Sequence, residues 1–274
     1  MIRIQETPVV IVTGASRGVG ASVARWLGKI KAAVILIARS DKPLRQVAEE
    51  VEQLGGNALP FGMDVAKASA CNQAVEETLR RFGRLDAIVN NAGIFRPMAP
   101  VRQANPDDWH YNVEVNLLGP VYMTMAAISE LRKQKGRIVN VSSGAANHTI
   151  ETGSAYCASK AALNQFTRVL AAEESELTAV AIRPGVVDTQ MQALLRSEGP
   201  KAMPPNQAAY YQKLKSEGRL EPPWVPARTI AWLALNAPQA LSGEFLDYDD
   251  PRISKPALDF FGMSYNSSLD KPRK

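Results

Sequence analysis

Two residues four positions apart, Tyr156 and Lys160, are the pair in this sequence best suited to proton transfer. They lie in a stretch, 155–176, whose pattern predicts a helix, and side chains at i and i+4 share one helix face. A free phenol has a pKa of about 10, and a nearby ammonium group favours the phenolate and lowers that value. The pair therefore predicts a general acid or base. In isolation the same pattern is more often two solvated surface residues, so its surroundings must decide.

A glycine-rich turn near the amino terminus is suited to holding a phosphate. Residues 13–20 read Thr-Gly-Ala-Ser-Arg-Gly-Val-Gly, between an apolar run at 8–13 and a helical pattern over 21–31. Glycines let the backbone approach a pyrophosphate, whose charge is stabilised at the helix amino terminus. This context favours a dinucleotide site over a tight turn without a ligand. The turn residues assigned to the cofactor are Gly14, Ser16, Arg17, Gly18, Val19 and Gly20.

Two arginines near the expected adenosine ribose indicate which cofactor is used. A residue that binds the ribose 2′-hydroxyl would be an acid at the end of the second strand. Here Arg39 follows that strand directly, and Arg17 lies in the glycine turn. Guanidinium groups bind phosphate through charge-assisted bonds worth about 1.5–3 kcal/mol each. The sequence favours NADP over NAD, with a solvated surface charge as the alternative for Arg39.

Two further strand ends carry polar residues. Ligands of a parallel sheet bind at the carboxyl ends of its strands, so residues there are cofactor candidates. Asp64 is a candidate both for bonding adenine and for capping the next helix. The residues assigned to the cofactor at these two strand ends are Asp64, Val65, Asn91, Ala92 and Gly93.

Strands and helices alternate along the chain, which predicts right-handed βαβ units and one parallel sheet covered on both faces. The expected fold is a single-domain, doubly wound α/β Rossmann fold with about seven strands. We expect a catalytic domain over 1–250 and a polar, at best partly ordered tail over 251–274. A long helix, 106–133, is expected to be interrupted near Gly119-Pro120. The predicted strands are 8–13, 33–38, 58–63, 86–90, 136–142, 178–182 and 244–248.

Composition narrows the class of protein. The 32 basic and 27 acidic residues give a net charge of +5, which suits a small anionic ligand, and no basic run interleaved with aromatics argues for nucleic acid. Cys71 and Cys157 are far apart without metal-ligand spacing, so we expect a reduced, cytoplasmic protein and no metal. The amino terminus lacks the pattern of a signal peptide, and we expect no membrane association.

The ordered set of motifs resembles the classical short-chain dehydrogenase/reductase family over about 9–248. The motifs are the glycine turn, Asn90-Asn-Ala-Gly93, Asn116, Ser143, Tyr156-x-x-x-Lys160 and Pro184-Gly-Val-Val-Asp-Thr189. The resemblance implies a homo-oligomer, a dimer or tetramer, that pairs through its long fourth and fifth helices. It also implies cofactor contacts from Tyr156, Lys160, Pro184, Gly185, Val187 and Thr189.

The resemblance also implies four catalytic residues. Tyr156 would donate a proton to the substrate oxygen, Lys160 would lower the phenol's pKa and bind the nicotinamide ribose, and Ser143 would donate a hydrogen bond to the same oxygen. Asn116 would hold a water beside Lys160, with capping of a helix kink as its structural alternative. Ser142 is the nearest rival to Ser143, and Thr189 is a candidate for the nicotinamide carboxamide or for a helix N-cap.

Four segments narrow the resemblance to fungal benzil reductases and the related sepiapterin reductases: 142–145, 154–163, 184–191 and 241–250. These groups imply NADPH-dependent reduction of a carbonyl next to a second carbonyl. Asp247 falls where sepiapterin reductases anchor a pterin, although a bond to a backbone amide is the more frequent role at a strand end. A dehydrogenase that oxidises sugar or steroid alcohols and a non-catalytic NADP-binding regulator remain alternatives.

A lid over about 190–226 is expected to close on a bulky or aromatic carbonyl substrate. The aromatic residues proposed for its pocket are Phe95, Tyr210, Tyr211 and Trp224. His148 is assigned either to the pocket mouth or to solvent, His110 to a helix surface, and Cys157 to packing.

Overall fold

One parallel sheet forms the centre of the protein. The structure, a computed structural model, describes residues 7–265. The strands are β1 Val9–Thr13, β2 Ala33–Ala38, β3 Asn57–Gly62, β4 Ala87–Asn90, β5 Arg137–Val141, β6 Thr178–Arg183 and β7 Phe245–Asp247. They pair in parallel in the order β3-β2-β1-β4-β5-β6-β7. The predicted Rossmann-type sheet of seven strands is confirmed, with strand ends within two residues of those expected.

The sheet is covered by helices on both faces. The helices are α1 Gly18–Lys29, α2 Asp41–Gln53, α3 Ala68–Phe82, α4 Pro106–Val113, α5 Gly119–Gln134, α6 Ser154–Glu173, α7 Gln190–Ala202, α8 Pro205–Ser216, α9 Trp224–Asn236 and α10 Pro251–Phe261. None of the helices within the described part of the chain is long and apolar enough to cross a membrane.

The alternation of side chains along β1 explains the two layers. Val10 and Val12 pack into one apolar cluster with α1, α9 and α10, whereas Val9 and Ile11 pack into a second cluster with α3 and α5. Successive strand residues point to opposite faces of a sheet. Because all five residues of β1 are buried, this strand must be apolar throughout rather than alternating.

The strand order reverses beside β1, which pairs with both β2 and β4. Chain connections leave this point toward opposite edges of the sheet, so a crevice opens at the carboxyl ends of these two strands. Open α/β sheets bind their ligands at such a switch point. The fold therefore brings the glycine turn after β1 and residues 91–93 after β4 to one place.

The predicted interruption of the long helix is confirmed, and its cause is a π-helical turn. α4 passes into a π turn, Glu114–Leu118, before α5 begins at Gly119. Such turns inside helices are frequent at functional sites. Asn116 lies in the middle of this turn.

The first part of the tail that we expect to be at best partly ordered, 251–274, forms α10 and packs on the domain. Ile253, Ala257 and Phe261 lie four residues apart on one face of α10 and are buried, and Phe261 packs on Trp26 with ring centroids 5.3 Å apart. The polar composition of the segment concealed this apolar stripe. The remainder of the expected tail, 266–274, lies outside the described residues.

Candidate active site

The glycine turn is shaped by close approaches between backbones. Gly14 has φ +65°, and a Cβ on it would lie 2.9 Å from Cα of Ala92. A Cβ on Gly20 would lie 2.5 Å from the carbonyl oxygen of Gly14 and 2.4 Å from Nδ2 of Asn91. That amide nitrogen donates to the carbonyl oxygen of Thr13 at 2.9 Å. Only glycine fits these positions, so the turn is fixed against the end of β4.

A cavity of about 1400 Å³ runs along the carboxyl ends of the strands. Sites for one drug-sized ligand usually enclose about 300–1,000 Å³, so this cavity has room for a dinucleotide and a further molecule. Two of the predicted site residues, Gly20 and Asn116, do not line the cavity. The predicted residues that line the cavity are Gly14, Ser16, Arg17, Gly18, Val19, Arg39, Asp64, Val65, Asn91, Ala92, Gly93, Ser143, Tyr156, Lys160, Pro184, Gly185, Val187 and Thr189.

A hydrogen-bonded bridge closes one end of the cavity. Nη1 of Arg39 donates to the hydroxyl oxygen of Tyr111 at 2.6 Å, and that hydroxyl donates to Oδ2 of Asp64 at 2.7 Å. Asp64 does not cap α3: its other oxygen accepts from the backbone nitrogen of Ala66 at 3.1 Å. Tyr111 was missed from the sequence, because only the packing of α4 brings it to the ends of β2 and β3.

Tyr156 and Lys160 are both buried at the centre of the cavity, with 8% and 4% of their surfaces exposed. Lys160 donates from Nζ to the carbonyl oxygen of Val141 at 2.7 Å, and burial lowers its pKa to about 8. Burial also raises the pKa of Tyr156 to about 12, against a hydrogen bond with Ser143 that lowers it. The expected net lowering of the phenol's pKa is therefore not found. Burial raises the pKa of Tyr156 more than the hydrogen bond with Ser143 lowers it, and helical spacing does not reveal how deeply a side chain is buried.

The two serines after β5 face different partners. The hydroxyl of Ser142 donates to the backbone carbonyl oxygen of Lys160 at 3.5 Å, whereas Ser143 hydrogen-bonds with Tyr156. Ser143 also accepts from the backbone nitrogen of Ala145 at 3.2 Å. The preference for Ser143 over Ser142 thus agrees with the geometry.

Asn116 is fully buried, and its amide is occupied by protein partners. Its Oδ1 accepts from the backbone nitrogen of Ile94 at 2.8 Å, and its Nδ2 donates to the carbonyl oxygen of Ile94 at 2.9 Å. Nδ2 also donates to Oδ1 of Asn112 at 2.8 Å. The side chain therefore fastens the π turn to the chain after β4. Asn112 and Ser159, which complete this buried network, were missed because their contacts join separate helices.

An apolar cluster forms the other end of the cavity. Phe95 packs on Tyr156 with ring centroids 4.8 Å apart, and Tyr211 from α8 is buried with them. Tyr210 lines the cavity but is 47% exposed. Placing Trp224 in this wall was wrong: it begins α9, and its carbonyl oxygen accepts from Nε1 of Trp26 at 2.8 Å.

The two histidines, Cys157 and Thr189 have different surroundings. His148 lines the cavity. His110 is exposed, and its Nε2 lies 3.4 Å from Oε1 of Glu114. Cys157 donates weakly to the carbonyl oxygen of His148 at 3.8 Å. Thr189 occupies the N-cap position of α7 without a capping hydrogen bond from its side chain.

Asp247 forms a bidentate ion pair with Arg183 at the ends of two neighbouring strands. The partner of the Asp247 side chain is thus a guanidinium group rather than a backbone amide. A phosphate-type turn on one parallel sheet, with a buried phenol and a buried ammonium group in the same cavity, defines the class of protein: a dinucleotide-binding α/β protein.

Comparison with known proteins identifies the family. A model of short chain dehydrogenases matches residues 8–199. An uncharacterized oxidoreductase of Schizosaccharomyces pombe is 37% identical over 88% of this chain and 96% of its own. A benzil reductase ((S)-benzoin forming) of Saccharomyces cerevisiae is 34% identical over 89% and 97%. The crystal structure of a short-chain dehydrogenase/reductase of S. cerevisiae matches with a TM-score of 0.86 at 34% identity, covering 90% of this chain and 98% of that one. The chain belongs to the short-chain dehydrogenase family and is an oxidoreductase.

The family binds a nicotinamide cofactor, NAD or NADP, and the residues of this cavity fit such a group. The glycine turn supplies the amino terminus of α1 for a pyrophosphate. A Cβ on Gly93 would lie 3.3 Å from Oδ1 of Asn116 and 3.7 Å from Nζ of Lys160, so this glycine keeps the space beside the lysine open. The turn and Lys160 thus lie along one continuous cavity.

Proposed function

We propose that this protein is an NADPH-dependent carbonyl reductase that acts on aromatic or vicinal diketones, or on related bulky ketones. The observation that carries the proposal is the position of the Tyr156 hydroxyl group, at the centre of the cavity beside Phe95 and Ser143. A relative named benzil reductase, similar along nearly the whole chain, supports the same substrate class.

The proton chemistry follows from the burial of Tyr156. Because its pKa is about 12, the phenol is protonated at neutral pH and acts as the acid that a carbonyl reduction needs. The O–H of Tyr156 donates to the carbonyl oxygen of the substrate, and Ser143 donates a second hydrogen bond that stabilises the developing alkoxide. When bound, the nicotinamide ring supplies the hydride.

Lys160 and Asn116 act through their neighbours. The ammonium group of Lys160 places a positive charge behind the phenol and binds the ribose of the cofactor. Asn116 is a positioning residue, since its amide holds Ile94 and thereby the wall next to Lys160. Thr189, at the start of α7, binds the carboxamide and fixes the face of the ring.

The preference for NADPH rests on the arginines at the far end of the cavity. Arg17 and Arg39 both line it, and the residue directly after β2 is Arg39 rather than an acid. Tyr111 holds the guanidinium group of Arg39 at this end through a bond of 2.6 Å. Two guanidinium groups stabilise a 2′-phosphate more than a 2′-hydroxyl.

The proposal also covers the location and the oligomeric state of the protein. We propose a cytoplasmic homo-oligomer, a dimer or tetramer, that pairs through α5 and α6. These belong to the helices predicted as the fourth (106–133) and the fifth (155–176) of the chain. Both helices carry exposed apolar side chains, Met125 on α5 and Val169 on α6.

The substitution Tyr156→Phe tests the function directly. It removes the proton donor and keeps the ring that packs on Phe95, so NADPH oxidation with benzil should fall by at least about a hundredfold, the lower range for general acid catalysis. Binding of NADPH, measured by fluorescence, should be unchanged. The control is Tyr122→Phe, on α5 outside the cavity. Turnover above a tenth of wild type in Tyr156→Phe would contradict the assigned acid.

A further inference from the structure

The ends of β6 and β7 bring a charged pair to the rim of the cavity. Arg183 and Asp247 are register partners and the last residues of their strands. Both line the cavity, and their side chains are 37% and 42% exposed. The pair is therefore accessible to a molecule bound next to Tyr156 and Ser143.

The ion pair leaves the Nη1 group of the guanidinium, with its two N–H donors, unused. Asp247 accepts from Nε and Nη2 of Arg183. Among the described residues no acceptor of Nη1 is found. A Cβ on Gly144 would lie 3.6 Å from Nη1 and 3.8 Å from Cδ2 of His148. Nη1 thus lies beside the loop that begins immediately after Ser143.

We propose that Arg183 is the residue that selects a second oxygen on the substrate, with Asp247 as its positioning partner. While one carbonyl oxygen is held by Tyr156 and Ser143, Nη1 of Arg183 donates to the oxygen of the adjacent carbonyl. This proposal rests on the carbonyl reductase function proposed above and names the substrate feature that the site recognises.

The charge of the pair determines which second oxygen is preferred. The carboxylate of Asp247 neutralises the guanidinium group and lies next to it, so a substrate carboxylate would meet a negative neighbour. A neutral carbonyl oxygen needs only one donor and meets no such repulsion. Vicinal diketones are therefore favoured over 2-keto acids, and ketones without a second oxygen leave the exposed donor to water.

Three aryl ketones separate these possibilities. Benzil carries the second carbonyl, deoxybenzoin has a methylene group in its place, and phenylglyoxylate has a carboxylate. The measurement is kcat/KM for NADPH oxidation with each. Ratios between substrates within one variant do not depend on the fraction of active protein, so a loss of folding stability does not change them.

Arg183→Met should lower the benzil to deoxybenzoin ratio by about tenfold or more relative to wild type, the effect of losing a hydrogen bond from a charged donor. Asp247→Asn should raise the phenylglyoxylate to benzil ratio by about tenfold, because the guanidinium group is no longer neutralised. If Arg183→Met does not fold, the double variant R183M/D247L removes both charges together and should show the same loss for benzil. The control is Arg252→Met, since Arg252 pairs with Glu244 and Asp250 outside the cavity.

The outcomes separate this proposal from the one on which it rests. Unchanged substrate ratios in Arg183→Met, with all three ketones reduced, would overturn the role of Arg183 and leave the carbonyl reductase function intact. Failure of the wild-type protein to reduce any of the three would overturn both. The same changes of the substrate ratios in Arg252→Met would show that they do not depend on the Arg183–Asp247 pair and would overturn the proposal.

Discussion

At the scale of single residues, burial decides the chemistry of Tyr156 and Lys160. Removing either side chain from water disfavours its charged form, which raises the pKa of the phenol and lowers that of the ammonium group. The only hydrogen-bond acceptor found for Nζ of Lys160 among the described residues is the carbonyl oxygen of Val141. A buried cation with one protein acceptor reduces stability, and residues arranged in this way are concentrated at functional sites.

This burial predicts a pH dependence of stability. The pKa of Lys160 is lowered from 10.5 to about 8, so between these values the unfolded chain binds more protons than the folded one. The contribution of Lys160 to the free energy of unfolding is therefore unfavourable below about pH 8 and disappears as the pH rises to 10.5. Relative to Lys160→Met, wild type should gain up to about 3 kcal/mol across this window.

Urea unfolding of both proteins at several pH values measures the difference. Lys133→Met is the control, because Lys133 on α5 is exposed. A constant difference between wild type and Lys160→Met over the window would show that the lysine titrates normally in the folded protein.

The sequence could predict the Tyr156–Lys160 pair, but not its environment. Helical spacing places the two side chains on one face, and no further information is needed for that. Their burial depends on Phe95, Tyr211 and the strand ends, which are distant along the chain. The predicted lowering of the phenol's pKa considered the lysine charge and left out the desolvation, which is the largest cause of the raised pKa.

At the scale of elements, residues that follow β2 and β3 meet a residue of α4 at the end of the cavity where Arg39 lies. Arg39 follows β2, Asp64 follows β3, and Tyr111 belongs to α4. The phenol stands between the two charged groups, with Arg39 also 5.9 Å from its ring centroid. Tyr111 thereby keeps the guanidinium group of Arg39 near the cavity while the acid remains 4.0 Å away.

Cofactor preference should depend on this bridge. Arg39→Asp should lower the kcat/KM ratio of NADPH to NADH by more than about tenfold, because a phosphate contact is replaced by a like charge. Tyr111→Phe should lower the same ratio by less, about threefold, because Arg39 keeps its charge and loses only the hydrogen bond that positions it. Steady-state kinetics with both cofactors provide the ratios. Equal use of NADPH and NADH by wild type would contradict the assignment.

Elements were predictable from the sequence where a local pattern determines them. β1 and α1 follow from an apolar run and a glycine turn, and the order of strands follows from their alternation with helices. The network of Asn116, Asn112 and Ser159 was not predictable, because it forms only when α4 and α6 pack together. α10 was overlooked since its three buried apolar residues lie among polar ones.

At the scale of the whole molecule, two of the helices that cover the sheet present apolar side chains to solvent. Met125 on α5 is 69% exposed and Val169 on α6 is 43% exposed. An ion pair between Arg132, in the last turn of α5, and Glu174, directly after α6, links the carboxyl-terminal ends of the two helices. Burying such side chains against a second copy removes apolar area from water, which stabilises by about 25 cal/mol for each Å².

The proposed oligomer predicts that charges on this surface separate the subunits. A double variant, Met125→Lys with Val169→Lys, would place two ammonium groups of each subunit in the interface, where desolvation and like-charge repulsion oppose pairing. Sedimentation velocity should give a dimer or tetramer for wild type and a monomer for the double variant. Val101→Lys is the matched control, because Val101 is 74% exposed and lies outside α5 and α6. A wild-type monomer would contradict the proposed oligomer, and a double variant of unchanged size would place the interface elsewhere. Since Tyr156 and Lys160 lie on the buried face of α6, the monomeric variant should retain reductase activity, which separates the role of this helix in assembly from its role in the site.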